Sequence, residues 1–125
     1  MSDSDEIHIV VKPRYLAEQS NIIDDKYVFA YKIMILNQSQ DAITLRNRFW
    51  LITDAHGDEE RVSGAGVIGQ QPTLYPGDEF EYSSGAHLKT PWGTMEGHYE
   101  FEDERGGRFS IPIPQFDLKA DITIQ

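Results

Sequence analysis

Hydrophobic side chains alternate with a period of two along residues 27–36, and this alternation constrains the fold more than any other feature of the sequence. A β-strand points successive side chains to opposite faces, so a period of two is typical of a strand with one buried face. The opposite face alternates Lys32 with small and apolar residues, so we expect it to be partly covered too. The face predicted to be buried carries Tyr27, Phe29, Tyr31, Ile33 and Ile35.

The same pattern recurs along the chain at short intervals. Further strands are predicted at residues 7–15, 43–53, 60–63, 80–84, 94–102 and 108–113. A polar turn is predicted at 37–41, and glycine-containing turns are predicted at 54–57 and 104–107. Pro112 and Pro114 indicate that the last strand lies partly at a sheet edge, because proline cannot donate a ladder hydrogen bond.

These elements define a class of fold. A chain of 125 residues is one domain by length, and no window shows a sustained helical stripe. Seven or more short strands with frequent turns predict an all-β, antiparallel β-sandwich of the immunoglobulin or fibronectin type III class. Residues 1–6 are predicted to form a disordered tail and residues 120–125 a loosely held end.

A corner pattern in residues 74–80 supports the sandwich. Fibronectin-like domains pass from one sheet to the other at a corner, where a tyrosine hydroxyl often caps the turn. In this chain Pro76 and Gly77 begin the pattern, and the expected tyrosine is replaced by Phe80. Tyr82 lies on the same face as Phe80 and is the candidate to replace the missing hydroxyl.

Residues 64–69, which contain Gly64, Gly66 and Gly69, match the G-x-G-x-x-G spacing of a dinucleotide-binding turn. That turn needs a helix whose N-terminus holds the pyrophosphate, and Pro72 and Pro76 leave no room for one. The acidic residue expected about 20 positions later is also missing. We therefore predict no nucleotide binding, and a loop whose glycines permit a bend or a close approach to a strand or a partner.

The charge of the chain limits its partners. With 11 basic and 21 acidic residues, the net charge is −10, which disfavours nucleic acids and anionic membranes. Divalent cations and basic protein surfaces fit better, unless the acidity serves only solubility. No cysteine is present, and the acidic residues 1–6 do not resemble a secretion signal, so we expect a cytoplasmic protein.

The predicted strand 94–102 carries a candidate metal site. Glu96, His98, Glu100 and Glu102 share one face at period two, with neighbours about 7 Å apart. Carboxylate and imidazole groups are suitable ligands for Mg²⁺ or Co²⁺, so this face is a candidate for weak divalent-cation binding. The alternative is a polar face turned to solvent. No serine or histidine lies in the context of a nucleophile, so we predict a protein that is not an enzyme.

Two tryptophans suggest a surface for partners. Trp92 lies in a Pro-Gly turn, where it is hard to bury, so we predict that Trp92 and the glycine loop with Gly64, Gly66 and Gly69 form a partner-binding surface. By strict alternation, Arg46 and Arg48 share a face with Trp50 and Ile52. That group is either a binding patch or a core tryptophan beside arginines paired with carboxylates.

Several long motifs, in order, resemble the ApaG family. They include Phe49-Trp50-Leu51-Ile52-Thr53-Asp54, Gly64-Ala65-Gly66-Val67-Ile68-Gly69-Gln70-Gln71-Pro72, Thr90-Pro91-Trp92-Gly93-Thr94-Met95-Glu96-Gly97-His98-Tyr99 and Phe109-Ser110-Ile111-Pro112-Ile113-Pro114. The resemblance implies a stand-alone bacterial protein with a fibronectin-III-like sandwich, linked to cobalt resistance and magnesium efflux. It implies no catalytic residue and no cofactor.

Together these features predict a non-enzymatic β-sandwich that acts by binding another protein, whose identity the sequence does not give. The alternative is a divalent-cation-responsive protein with a weak site on the face that carries Glu96 and Glu102.

Overall fold

The computed structural model describes residues 6–121, and these form eight β-strands. Two short 3₁₀ helices, Ala17–Gln19 and Ile22–Asp24, lie between the first two strands, and no helix in the described range is long and apolar enough to span a membrane. The strands are β1 (Ile7–Tyr15), β2 (Tyr27–Asn37), β3 (Ile43–Asp54), β4 (Glu59–Ala65), β5 (Thr73–Leu74), β6 (Glu79–Leu88), β7 (Trp92–Asp103) and β8 (Arg108–Lys119).

The strands form two antiparallel sheets. The smaller sheet has the order β1-β2-β6, and the larger one has the order β4-β3-β7-β8, with β5 paired to β3. The predicted all-β antiparallel sandwich is therefore confirmed. The edge position predicted for the proline-bearing last strand is also confirmed, because β8 has a neighbour on one side only.

The core lies between the two sheets, and the alternation in β2 places half of that strand inside it. All five residues predicted for the buried face are buried, and Ile33 and Ile35 are fully so. Trp50 of β3 lies edge-on to Tyr31 and Tyr99, with ring centroids 5.5 and 6.4 Å away. Burying such large side chains stabilises the fold by about 1.5–3 kcal/mol each.

Two strands run further than their sequence predicts. β6 continues to Leu88 because it pairs with β2 along its whole length, although its small residues around Gly85 have little preference for strands. β8 continues past Pro112 and Pro114 to Lys119 because an edge strand tolerates missing donors, and its register with β7 shifts there. The two-residue strand β5 was too short to be predicted.

The chain passes from the larger sheet to the smaller one between β5 and β6, as the corner pattern predicts. Tyr82 does not cap this corner, since its hydroxyl is hydrogen-bonded to that of Tyr99 in the core. The fully buried Asn37 holds the corner instead. Its backbone N–H donates to Asp78 at 3.0 Å, its carbonyl accepts from Gly77 at 2.7 Å, and its amide donates to the carbonyl of Leu74 at 2.9 Å.

Strand β3 contains one extra residue relative to β7. Leu45 pairs with Phe101 and Asn47 pairs with Glu100, so Arg46 forms a β-bulge between them. The bulge reverses the alternation of side chains between the two faces of the sheet. Odd-numbered residues before the bulge therefore point to the same face as even-numbered residues after it.

The predicted tail 1–6 and loose end 120–125 lie mostly outside the described residues. Three of their members, Glu6, Ala120 and Asp121, are described, and two of these form backbone hydrogen bonds to the sandwich. The carbonyl of Glu6 accepts from Gln38 at 2.8 Å, and the N–H of Ala120 donates to Pro91 at 2.7 Å, so both are tied to the sandwich.

Candidate functional site

The outer face of the larger sheet, which points away from the smaller sheet, carries five of the residues predicted from sequence. Glu96, His98, Glu100 and Glu102 follow one another at period two on β7, and Trp92 lies four residues before Glu96 on the same face. Met95, Tyr99 and Phe101 on the opposite side are buried in the core. The predicted common face of the four ionisable residues is thus present, and Trp92 lies on that face too.

A groove of about 620 Å³ crosses the centre of this face. Half-buried Phe49 and Leu51 of β3 are part of its lining, and the ring of Phe49 stacks on that of His98 with centroids 4.5 Å apart. Gly97 lets β3 and β7 approach here, since a Cβ at that position would lie 1.9 Å from the carbonyl oxygen of Phe49. Arg61 of β4 and Pro112 of β8 lie on the two flanks.

Arginines occupy the other end of the outer face. Glu100 accepts from Asn47 at 2.6 Å and from Arg108 at 2.9 Å, and these contacts lower the pKa of its carboxyl, with the Asn47 hydrogen bond as the largest cause. Glu102 accepts from Arg108 at 3.0 Å and from Arg46 at 3.4 Å. Two of the four candidate metal ligands are therefore already paired with cations.

The structure does not bring the remaining candidates into a metal site. Within residues 6–121, no group of three or more histidine, aspartate and glutamate side chains is placed to hold an ion. His98 is stacked on Phe49, and Glu96 lines the groove. The arrangement on this face is that of an apolar depression beside a network of ion pairs.

Trp92 has 51 % of its surface exposed, as its place in a Pro-Gly turn suggests. It lies four residues before Glu96 on β7, or roughly 13 Å along the strand. The outer face thus presents an exposed aromatic side chain at one end and the groove at its centre.

The glycine loop is a tight β-hairpin, which we call the glycine hairpin (residues 64–70). Val67 and Gln70 exchange two backbone hydrogen bonds of 2.8 and 2.9 Å, and the two residues between them, Ile68 and Gly69, have φ angles of 43° and 77°. Positive φ at both central positions is the geometry of a type I′ turn. In the described part of the chain no helix follows the motif, as the prolines predict.

Two of the three glycines of the motif permit a close approach, whereas a Cβ at Gly69 would meet no atom of residues 6–121 within 4 Å and that glycine instead takes a positive φ angle in the turn. Gly64 lies under the guanidinium group of Arg48, whose Nη1 atom would be 3.0 Å from a Cβ. At Gly66 a Cβ would lie 2.0 Å from the carbonyl oxygen of Gln70. Gly64 and Gly66 therefore serve contacts within the protein, to a neighbouring side chain and to the hairpin's own backbone.

The structure does not place Trp92 beside the glycine hairpin. Gly93 pairs with Asp54 and Gly64 pairs with Arg48, so the two features are separated by six residues of β3, or roughly 20 Å. They were predicted to form one surface, and the geometry instead gives two.

The predicted common face of Arg46, Arg48, Trp50 and Ile52 is wrong for Arg46. The bulge turns Arg46 outward to Glu102, whereas Arg48 points inward on the same side as the buried Trp50. Arg48 donates to the backbone carbonyls of Ala65 and Gly66 at 3.2 and 2.9 Å, and it forms no ion pair with a carboxylate of residues 6–121. Within that range the expected pairing with a carboxylate is present at Arg46 and absent at Arg48.

Phe49 and Leu51, which form the floor of the groove, were not predicted as site residues, although the sequence contains a pattern that indicates them. The run Phe49-Trp50-Leu51-Ile52 is apolar on both faces of β3, whereas a strand with one solvated face alternates. Trp50 fills the core, so Phe49 and Leu51 must lie on the outer face. The run therefore indicates an apolar patch there.

Two facing antiparallel sheets, with a crossing corner between β5 and β6, define a β-sandwich of the immunoglobulin or fibronectin type III class. Residues 17–103 match the family model described as the ApaG domain. The chain belongs to the ApaG family.

Individual relatives support this assignment. Protein ApaG of Rhizobium leguminosarum is 51 % identical over 92 % of this chain and 88 % of the relative. Protein ApaG of Salmonella arizonae is 48 % identical over 99 % of both chains. The crystal structure of an ApaA protein from Bordetella pertussis superposes with a TM-score of 0.90 at 44 % identity, covering 94 % of this chain and 95 % of that one.

Proposed function

We propose that this protein is not an enzyme and that it acts in the cytoplasm by binding another protein through the groove on its outer face. The observation that carries the proposal is the groove itself. An outward sheet face is usually polar, yet this one has an apolar floor of Phe49 and Leu51, flanked by Pro112 and followed by the exposed Trp92. Buried aromatic anchors within a polar rim are typical of protein interfaces.

The charges around the groove indicate the chemistry of the partner. Glu96 lines the groove and the chain carries a net charge of −10, whereas Glu100 and Glu102 further along the same strand are already paired with Arg108 and Arg46. A partner segment that places an apolar side chain in the groove and basic residues beside it would complement this face. Arg61 on the opposite flank provides a counterpart for one acidic group of the partner.

A cation-responsive role is less well supported. Its site would use Glu96, His98, Glu100 and Glu102, of which the last two are bound to Arg108 and, for Glu102, also to Arg46. A divalent ion would have to displace these arginines, and their loss would weaken the pairing between β7 and β8.

The proposal is tested by capture followed by a measured affinity. Immobilised wild-type protein is used to isolate partners, and each purified partner is titrated against wild type, Phe49→Ser and Trp92→Ala by calorimetry. Truncation of a central aromatic anchor is expected to weaken binding by at least about tenfold. Affinity should also fall as salt concentration rises, because the partner is basic.

Ile23→Ser is the matched control, since Ile23 is 91 % exposed on a 3₁₀ helix of the β1–β2 connection, away from the outer face. It should bind like wild type. Equal affinities for wild type and Phe49→Ser, with both proteins folded by circular dichroism, would refute the proposed surface.

A further inference from the structure

The guanidinium group of Arg48 lies between the two sheets, beneath the glycine hairpin. An arginine carries five N–H donors. The two on Nη1 are used by the carbonyls of Ala65 and Gly66, at 3.2 and 2.9 Å. Within residues 6–121, the ion pairs include none to Arg48. The Nε and Nη2 edge therefore retains three donors in a strongly acidic protein.

Open space adjoins this arginine on two sides. A cavity of about 180 Å³ lies under the hairpin, and Arg48 lines it together with Tyr31, Tyr82, Ser84 and Ile68. A second cavity of about 220 Å³ also contacts Arg48 and extends along the gap between the β4 and β6 edges. Each is large enough for one small polar group with its neighbouring atoms.

The polar groups around the cavity are neutral donors at physiological pH. Burial raises the pKa of Tyr31, and it raises the pKa of Tyr82 to about 12. Ser84 also lines this cavity. A cation and hydroxyl-bearing side chains thus line a space that has an apolar wall formed by Val67 and Ile68.

We propose that the cleft between the β4 and β6 edges binds a carboxylate group, which the Nε and Nη2 edge of Arg48 holds in a two-point contact beside the hydroxyls of Tyr31 and Ser84. This site is separate from the groove on the outer face. A planar carboxylate matches the spacing of two parallel N–H donors of a guanidinium group, and such charge-assisted bonds are among the strongest in proteins.

The charge around the cleft favours a singly charged group. Glu60 lines the far end of the second cavity, and it pairs with Ile52, four residues or roughly 13 Å from Arg48 along β3. Together with the net charge of −10, it repels a doubly charged phosphate more than a carboxylate. The carboxylate belongs to either a small free acid or the chain end of a peptide, and the β6 edge beside the cleft is open to an extended peptide.

Nuclear magnetic resonance titration of ¹⁵N-labelled protein tests the site. The probes are acetate, the peptide acetyl-Gly-Gly-Gly with a free carboxylate, the same peptide as an amide, and phosphate, all at constant ionic strength. We expect saturable shifts of the amides of Gly64, Gly66 and Gly85 with both carboxylate probes, and none with the amidated peptide. Tighter binding of the peptide than of acetate assigns the chain end as the source.

Variants locate the contact. Arg48→Gln should weaken carboxylate binding by at least about tenfold, because it removes a charged two-point contact. Tyr31→Phe should weaken it while leaving the hairpin anchored, and Glu60→Gln should strengthen it. Arg108→Gln, on the outer face, is the matched control and should bind like wild type.

Three results would overturn the inference. They are the absence of saturable shifts with either carboxylate, phosphate binding tighter than acetate, and unchanged affinity in Arg48→Gln. If Arg48→Gln is unfolded, the carboxylate affinities of Tyr31→Phe and Glu60→Gln test the site instead. Unchanged affinity in both of these variants refutes the site.

Discussion

Two arginines of β3, only two residues apart, lie in opposite environments. Arg46 is on the outer face, where it pairs with Glu102 in a network that also includes Arg108 and Glu100. Arg48 is between the sheets, where it donates to two backbone carbonyls of the glycine hairpin. The arginines of this network on the outer face are thus neutralised by carboxylates. Arg48, between the sheets, instead holds the glycine hairpin by hydrogen bonds to its backbone.

The difference shows that one inserted residue in β3 decides to which face of the sheet each arginine points. Without the bulge at Arg46, strict alternation would direct both arginines to the same side of the sheet. With it, one side chain joins a surface ion-pair network and the other supports the hairpin. The two positions are therefore expected to respond differently to the same substitution.

Replacing each arginine by glutamine is expected to give the largest contrast. Arg48→Gln removes two charge-assisted hydrogen bonds from the hairpin and should lower the free energy of unfolding by about 2 kcal/mol. Arg46→Gln loses a partly exposed ion pair and should cost no more than about 1 kcal/mol. Urea unfolding measures both values, and equal costs would show that the two environments do not differ energetically.

Hydrogen exchange sharpens the same comparison. The amide of Gly66 donates to the carbonyl of Arg46 at 2.8 Å, beneath the anchored hairpin. It should exchange faster in Arg48→Gln than in Arg46→Gln. Similar protection in both variants would mean that Arg48 does not hold the loop.

A second contrast concerns pH, and it separates tyrosines buried between the sheets from exposed ones. Burial raises the pKa of Tyr82 to about 12 and also raises that of Tyr99, whereas a tyrosine in an unfolded chain has a pKa of about 10. The folded protein keeps these protons after the unfolded chain has lost them. Their contribution to stability is therefore complete below pH 10 and is lost as pH rises from 10 through 12.

Urea unfolding between pH 9 and pH 11 checks this slope. Tyr99→Phe should cost about 1 kcal/mol at pH 8, because the hydroxyl of Tyr82 loses its partner, and it should make the decline above pH 10 less steep. Tyr75→Phe is the control, since Tyr75 is 61 % exposed. An identical slope in wild type and Tyr99→Phe would contradict the assignment.

The last expected effect lies at the tip of the glycine hairpin and has the opposite sign. Ile68 is a β-branched residue with a φ angle of 43°, a strained conformation, and it is 55 % exposed. Ile68→Asn should stabilise the protein by about 1 kcal/mol, because Asn-Gly is the preferred pair of a type I′ turn. Thermal unfolding measures it. A lower melting temperature would show that Ile68 contributes more through contacts than it costs through strain.

Much of the fold could be predicted because it depends on alternation. The buried face of β2 and the turn at 54–57 are visible from residue types alone. Strand ends were less accessible. Whether β6 continues past Gly85 depends on the partner strand that pairs with it, and the sequence of β6 does not contain that information.

The candidate sites were less predictable for a related reason. The face of Glu96 and His98 followed from periodicity, but its pairing with Arg108 depends on the register between β7 and β8. The cleft at Arg48 depends on the bulge in β3, and no residue type in that strand predicts a bulge. Both features arise from relations between strands rather than from any one segment.

The hydrogen bonds of the buried Asn37 at the crossing corner indicate when that corner forms during folding. Its buried side chain donates to the carbonyls of Asp41 and Leu74 and accepts from Ser39, so one amide joins the end of β2 to a segment 37 residues away. Those contacts can form only after strands of both sheets have met. The crossing corner is therefore expected to be a late step, and the domain to fold in milliseconds to seconds as other sandwiches with distant strand pairings do.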